Sequence, residues 1–169
     1  MDTVINTQSW LSLQNSTPVY KLQNWKLVYL DGTFIIYARN DVIKRQPLDL
    51  SLIHPEYTSA LKFKKDDEKG AMEQIRSLLA YDPKNDFARA QLIIYYLTDG
   101  KNFTAAKDLA QQSAKLFPKN PWFDFYLAIS YDALKDCPKV VESAKAAISK
   151  GHRDEAINES FISSIANCK

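Results

Sequence analysis

The chain has 169 residues, of which 46% are hydrophobic and 25% are charged, and its formal net charge is +2. This composition fits one compact globular unit, or one domain with a small appendage, that buries a core without metals or a disulfide framework. The near balance of charge gives no electrostatic argument for nucleic acid, and no apolar run approaches the ~20 residues of a membrane span. The first residues include an acid and no basic stretch, so no secretory signal is expected.

Strand-forming residues dominate from about position 19 to position 39. The segments WKLVYL and TFIIYAR are rich in β-branched and aromatic side chains, and Asp31-Gly32 between them predicts a two-residue hairpin turn. That turn places Tyr29 opposite Phe34 and gives the hairpin one wholly apolar face, made of Trp25, Leu27, Tyr29, Phe34 and Ile36. We expect this face to dock on the helical part, because each exposed large side chain would forgo about 1.5–3 kcal/mol. Residues 3–6 are a candidate third strand, and residues 7–14 are a candidate short helix capped by Thr7.

From about residue 48 onward the apolar residues recur with a helical period, and prolines separate the segments. One four-residue turn occurs twice, since Asp82-Pro83-Lys84-Asn85 recurs as Phe117-Pro118-Lys119-Asn120 at an offset of 35 residues. Large and small apolar residues follow each other in a similar order around both turns. The sequence therefore predicts a repeated pair of helices.

This pattern resembles the tetratricopeptide repeat, whose period is ~34 residues. The family's large-small-large positions on helix A fall on Leu92, Ile93 and Tyr96 and on Leu127, Ala128 and Tyr131. Its small positions on helix B fall on Ala106, Ala110 and Ser113, if one residue is inserted in the turn 98–102, and on Val140, Ala144 and Ala147. An earlier, degenerate unit has Ala71, Ile75 and Leu78 on its helix B and a poorly fitting helix A near residues 56–64. The resemblance covers about residues 48–151 and implies antiparallel helix hairpins, with an amphipathic helix at 153–167 as a C-terminal capping helix.

A second resemblance lies in the hairpin. The segment Trp25-Lys-Leu-Val28-Tyr29-Leu-Asp31, with the strand that follows it, is similar to the closing hairpin of membrane glycosyltransferases of the dolichyl-phosphate-mannose-dependent type. In that family the strand pair belongs to a soluble tail beyond the last membrane span, on the extracytoplasmic side. The resemblance implies that this chain is such a tail. The family's catalytic carboxylates lie in the membrane part, so no catalytic residue carries over.

Catalytic and metal-binding motifs are missing from the sequence. It contains no G-x-S-x-G, no P-loop, no G-x-G-x-x-G and no H-E-x-x-H, and its two histidines are isolated. We therefore expect no enzymatic activity, no cofactor and no metal. An enzyme whose active site lies in the concave groove of a tetratricopeptide-like array is the least favoured alternative. Arrays of helix hairpins suit protein partners, so the expected partner is a protein or peptide, with no nucleic acid and no direct membrane insertion.

The repeat register places one apolar stripe on the helix A surfaces that line the concave groove of tetratricopeptide arrays. The stripe consists of Phe87, Ala90, Ile94, Leu97, Trp122, Phe125 and Ile129. Families that grip a peptide's C-terminal carboxylate place Lys, Arg and Asn at such positions, whereas this chain places apolar and aromatic side chains there. Two interpretations stay open. Either the chain's own hairpin or cap covers the stripe, or the stripe is a groove for an apolar peptide with aromatic anchors.

The two cysteines, Cys137 and Cys168, are candidates for a disulfide. The helix that begins near Pro138 and the capping helix at 153–167 should both be roughly 20 Å long and antiparallel, which brings Cys168 back towards Cys137. The alternative is two free thiols. A disulfide would favour an oxidising compartment.

The predicted organisation is a small β-hairpin or α/β element at 1–45, followed by a tetratricopeptide-like helical repeat domain with a capping helix at 46–169. The expected role is a non-catalytic interaction or scaffold module in the extracytoplasmic tail of a membrane glycosyltransferase-like protein. The alternative is a free-standing cytoplasmic adaptor that binds an apolar peptide in its concave groove.

Overall fold

The computed structural model describes residues 4–6, 24–31, 34–41, 48–53 and 68–151. In these residues a small sheet precedes a mainly helical chain, which confirms the predicted fold class. The strands are β1 (Val4–Asn6), β2 (Trp25–Leu30) and β3 (Phe34–Arg39). The helices are α1 (Glu68–Tyr81), α2 (Asp86–Leu97), α3 (Phe103–Leu116), α4 (Pro121–Ala133) and α5 (Cys137–Ser149).

The chain divides into two compact units, Met1–Ala88 and Arg89–Lys169, and the division falls within α2. The predicted boundary at residue 45 lies in 42–47, outside the described residues. The short helix predicted at 7–14, the helix near 56–64 and the capping helix at 153–167 also lie outside the described residues.

In the first unit, the three strands form an antiparallel sheet in the order β1-β3-β2, and β1 agrees with the strand predicted at 3–6. The predicted hairpin register is wrong, because Tyr29 pairs with Ile36 and not with Phe34. The turn is closed by Asp31 and Phe34. The Asp31 N–H donates to the Phe34 carbonyl at 2.9 Å, and the Asp31 Oδ1 accepts from the Phe34 N–H at 2.6 Å. Asp31 therefore acts as the first residue of the turn, where an Asp side chain can bond the backbone ahead of it.

Of the predicted apolar face of the hairpin only Leu27 is buried, and a β-bulge changes which side chains of β2 face inward. The register shifts between Leu27 and Tyr29, so Val28 is an extra residue in β2. A bulge reverses the alternation of side chains along a strand, so the buried face changes parity in the middle of β2. The buried side chains are consequently Leu27, Leu30, Ile35 and Tyr37, whereas Phe34 is 43% exposed.

The hairpin is fixed to the turn between α1 and α2, still within the first unit. The Tyr29 hydroxyl donates to Asp82 Oδ2 at 2.8 Å, and Asn85 Nδ2 donates to the buried Leu30 carbonyl at 2.7 Å. We expected the hairpin to dock on the helical part, and these bonds join it there through residues that the sequence pattern did not indicate. Asn85 is 1% exposed, so both bonds of its side chain are shielded from water.

The segment 48–53 packs on α1. Leu50 and Ile53 are buried, and the Leu52 N–H donates to Gln74 Oε1 at 2.9 Å. Gln74 Nε2 donates in turn to Ser51 Oγ at 3.3 Å. The apolar face of α1 that the repeat pattern predicted, Ala71, Ile75 and Leu78, is fully buried.

The core of the second unit is a cluster shared by four helices. Its buried members are Ile93, Ala106, Ala110, Phe123, Leu127, Tyr131 and Val140. Ala106 and Ala110 on α3 and Ala144 and Ala147 on α5 are buried, as expected if small side chains allow helices to approach closely. The buried hydroxyl of Ser113 donates to the carbonyl of Leu109, four residues back in the same helix, at 2.7 Å. The same hydroxyl oxygen accepts from Arg89 Nη1 on α2 at 3.2 Å, so the back-bonded Ser113 also joins α3 to α2.

The two copies of the repeated turn share two backbone hydrogen bonds. Asp82 N–H donates to Leu78 O, and its counterpart Phe117 N–H donates to Ser113 O, both at 2.8 Å. The N–H of the Asn three residues later donates to the carbonyl of Asp82 or Phe117, in both copies at 3.0 Å. Each Asn then caps the next helix, since Asn85 Oδ1 accepts from Ala88 N–H and Asn120 Oδ1 from Trp122 N–H. The repeat seen in the sequence is therefore a repeat of local structure.

The turns inside the two helix pairs differ by one residue. Asn102 N–H donates to Tyr96 O, six positions back, whereas Asp136 N–H donates to Tyr131 O, five positions back. Each turn has one lysine with positive φ, Lys101 at 43° and Lys135 at 61°. The one-residue insertion predicted in the turn 98–102 is therefore present.

Candidate partner-binding surface

The predicted apolar stripe is not uniformly exposed. Phe87, in the first unit, is buried, and so is Phe125 in the second. Ala90 and Leu97 are half-buried against the core of the second unit, and Ile129 is half-buried as well. Only Ile94, at 36%, and Trp122, at 43%, count as exposed among these seven side chains.

The exposed part of the stripe centres on a group of rings in the first two turns of α4, which we call the α4 aromatic cluster: Trp122, Phe125 and Tyr126. The Trp122 ring meets Phe125 edge-on, with centroids 5.6 Å apart, and lies 6.2 Å from the ring of Tyr126. Phe125 and Tyr126 are themselves 5.7 Å apart in an edge-on arrangement. Edge-on and tilted pairs at such distances are favourable, so the two inner rings hold the exposed indole in place.

The α4 aromatic cluster rests on the core of the second unit. Phe123, 1% exposed, stacks on Phe117 with centroids 5.4 Å apart and meets Tyr126 edge-on at 6.4 Å. Burial raises the pKa of the Tyr126 phenol, so the cluster is uncharged at neutral pH. It presents an apolar, aromatic surface on a rigid helix.

An ion pair fixes the same end of α4 to α5. Lys150 Nζ lies 2.5 Å from Asp124 Oδ2, and the Asp124 side chain is only 10% exposed. Asp124 stands in the first turn of α4, and Lys150 is the C-cap of α5, so each charge also interacts favourably with the dipole of its own helix. The sequence pattern did not reveal this pair, because its members are 26 residues apart and neither lies in a charge run.

Cys137 is the first residue of α5 and is disulfide-bonded in the structure. The other cysteine of the sequence, Cys168, lies outside the described residues. The pairing of Cys137 with Cys168 therefore stays a prediction.

Metal-binding groups and membrane-spanning helices are considered for the described part of the chain. Within it, no group of three or more His, Cys, Asp or Glu side chains is placed to hold a metal ion. None of its helices is long and apolar enough to cross a lipid bilayer.

The chain matches no protein-family model, no curated protein and no solved structure.

Proposed function

We propose that this chain is a non-catalytic protein-interaction module of helix-hairpin repeats, related in plan to tetratricopeptide arrays, that binds a partner segment at the α4 aromatic cluster. The observation that supports the proposal most is the exposure of Trp122, at 43%, beside the buried ring of Phe125 and the half-buried ring of Tyr126. Tryptophan and tyrosine are enriched among the residues that contribute most of the binding energy of protein interfaces, and an exposed indole held by packed rings is suited to that role. The repeated turns support the relation to repeat arrays, because they show the same bonds at an offset of 35 residues.

A substitution at Trp122 separates an interface side chain from a core side chain. Since nearly half of Trp122 is exposed, Trp122→Ala should lower the free energy of unfolding by only about 1–2 kcal/mol, against about 3–5 kcal/mol for the truncation of a buried aromatic ring. The adjacent Phe123, 1% exposed, is the matched control for the larger value. If both substitutions cost the same several kcal/mol in urea denaturation, Trp122 belongs to the core and the proposed surface does not exist.

Binding itself is tested by site-specific photocrosslinking in the native host. A photoreactive phenylalanine analogue at position 122 should give one dominant crosslinked partner, and the same analogue at the exposed Thr104 on α3 should not. The photoreactive analogue can also replace the neighbouring exposed Lys119, and adding Trp122→Ala to that variant should remove the adduct. Equal adducts from positions 122 and 104, or an adduct that Trp122→Ala leaves unchanged, would contradict the proposal.

We propose further that the module is the extracytoplasmic tail of a membrane glycosyltransferase-like protein. The support is the similarity of the hairpin to the family's closing strand pair, together with the disulfide at Cys137, which fits an oxidising compartment. The alternative is a cytoplasmic adaptor that would use the same surface. The full reading frame of the gene distinguishes them, because the tail requires several apolar spans upstream of Met1.

A further inference from the structure

A shallow polar cleft of about 500 Å³ lies at the open end of the hairpin, in the first unit. It is lined by Asn24, Trp25, Arg39, Asn40 and Asp41, all of which belong to the described part of the chain. The volume falls within the range of small-molecule sites, about 300–1,000 Å³. The cleft is separate from the proposed partner surface, and no sequence pattern indicated a binding site here, although Trp25 belongs to the W-x-x-V-Y-x-D segment.

The end of the sheet holds the lining residues in fixed relation to each other. Trp25 begins β2 and is the register partner of Arg39, which ends β3. One residue further out, the Asn40 N–H donates to the Asn24 carbonyl at 2.8 Å and closes the two strands. The cleft is therefore built on paired backbone.

The two charges in the cleft are matched, so its lining has no net charge to attract an ionic ligand. Arg39 Nε donates to Asp41 Oδ1 at 2.9 Å, and its Nη2 donates to Asp41 Oδ2, so the guanidinium grips the carboxylate with two parallel bonds. A phosphate or carboxylate ligand would have to displace this bidentate partner and would then face the Asp41 charge. A cation would face the same obstacle from Arg39.

The remaining chemistry suits a ligand with many hydroxyl groups and one apolar face. Trp25 is half-buried and supplies an indole surface, and the four polar residues around it are exposed. The side-chain amides of Asn24 and Asn40 contain both a donor and an acceptor, as a hydroxyl does. Arg39 has five N–H donors and uses two of them on Asp41, and each carboxylate oxygen has a second lone pair for a hydroxyl.

We propose that this cleft binds a neutral saccharide unit, with the C–H face of the sugar against the indole of Trp25 and the sugar hydroxyls on Asn24, Asn40 and the Arg39–Asp41 pair. A single monosaccharide in an open cleft makes few contacts, so the expected dissociation constant is on the order of 1–10 mM.

To test this proposal, the full chain is titrated with the methyl glycosides of glucose, galactose, mannose and N-acetylglucosamine. Binding is measured by ligand-observed NMR and by calorimetry. At least one glycoside should saturate, and Trp25→Ala should weaken its binding at least about tenfold. Phe34→Leu, which changes an exposed aromatic side chain outside the cleft and outside the proposed partner surface, should leave the affinity unchanged. Saturation by none of the glycosides at about ten times the expected dissociation constant would overturn the proposal. Binding that Trp25→Ala leaves intact would do the same.

Two further variants keep the test decisive if Trp25→Ala fails to fold. Trp25→Phe keeps an aromatic face and should weaken binding by a few fold only, whereas Asn40→Ala keeps the backbone bond to Asn24 and should weaken it more. Asp41→Asn releases Arg39 and should create binding of inorganic phosphate that the unsubstituted chain does not show. Phosphate binding by the unsubstituted chain, in competition with the glycosides, would show that the cleft is an anion site. Because the readout is glycoside affinity and not partner capture, this proposal and the proposed partner surface can fail separately.

Discussion

Replacing Asn85 by alanine should lower the free energy of unfolding by about 2–4 kcal/mol, because one buried side chain makes two different hydrogen bonds. Its Oδ1 accepts from the Ala88 N–H at 2.8 Å and caps α2, a contribution of about 1 kcal/mol. Its Nδ2 donates at 2.7 Å to the carbonyl of Leu30, which is fully buried. Removing a donor from a buried carbonyl costs a further 1–3 kcal/mol or so, since water does not replace it.

The repeat supplies a matched control for this prediction. Asn120 occupies the equivalent position and caps α4 through the Trp122 N–H at 3.1 Å, so Asn120→Ala should cost only about 1 kcal/mol. Asn85→Asp keeps the capping oxygen and loses the donor to Leu30, so it should cost about 1–3 kcal/mol. All three free energies of unfolding are measured by urea denaturation monitored by circular dichroism. They are compared only between variants with the same m-value. If Asn85→Ala is no more damaging than Asn120→Ala, the bond to Leu30 does not hold the hairpin to the helical turn.

Three other predictions use the same denaturation assay or a thiol assay. Tyr29→Phe should cost about 1 kcal/mol near neutral pH. Burial and the hydrogen-bonded carboxylate raise the pKa of Tyr29 above its ordinary 10.0, so the advantage of the unsubstituted chain should be constant below pH 10 and shrink as the pH rises above it. Lys150→Met should cost about 2–4 kcal/mol, because it leaves the carboxylate of Asp124, 10% exposed, without its partner. Asp124→Asn should cost only about 1 kcal/mol, because the Lys150 side chain is 27% exposed and can turn to water. Equal costs would contradict this burial argument. Titration of unreduced, denatured protein should find no free thiol on Cys137 or Cys168, and two free thiols per chain would exclude the disulfide.

The helical part of the fold could be predicted because its signals are local. Helix periodicity and the repeated Pro-Lys-Asn turn depend on residues within a few positions of each other, and the expected small residues of α3 and α5 are buried in the structure. The inserted residue in the turn 98–102 was also visible, since it shifts the repeat offset of the small residues from 35 to 34.

The hairpin was predicted as an element, but its register and buried face were not. Both depend on one extra residue at Val28 and on the side chain of Asp31 closing the turn, and neither leaves a periodic trace in the sequence. The bond from Tyr29 to Asp82 spans 53 positions, so it follows from tertiary packing alone. A register inferred by pairing outward from Asp31-Gly32 could not detect these effects.

The candidate surface shows a different limit. Phe87 and Trp122 occupy equivalent positions 35 residues apart, and a repeat register assigns them the same environment. The first is 8% exposed and the second 43% exposed. A repeat pattern therefore predicts which face of a helix a residue occupies, and the neighbours of each particular copy decide whether that residue remains exposed.

The residues on which the glycosyltransferase resemblance depends have a structural role in this chain. Tyr29 of the W-x-x-V-Y-x-D segment donates to Asp82 at 2.8 Å and lies 3.2 Å from Asp31 of the same segment. The hydroxyl has one proton, and the shorter bond leads out of the hairpin to the first residue of the repeated turn. The segment therefore attaches the hairpin to the helical turn.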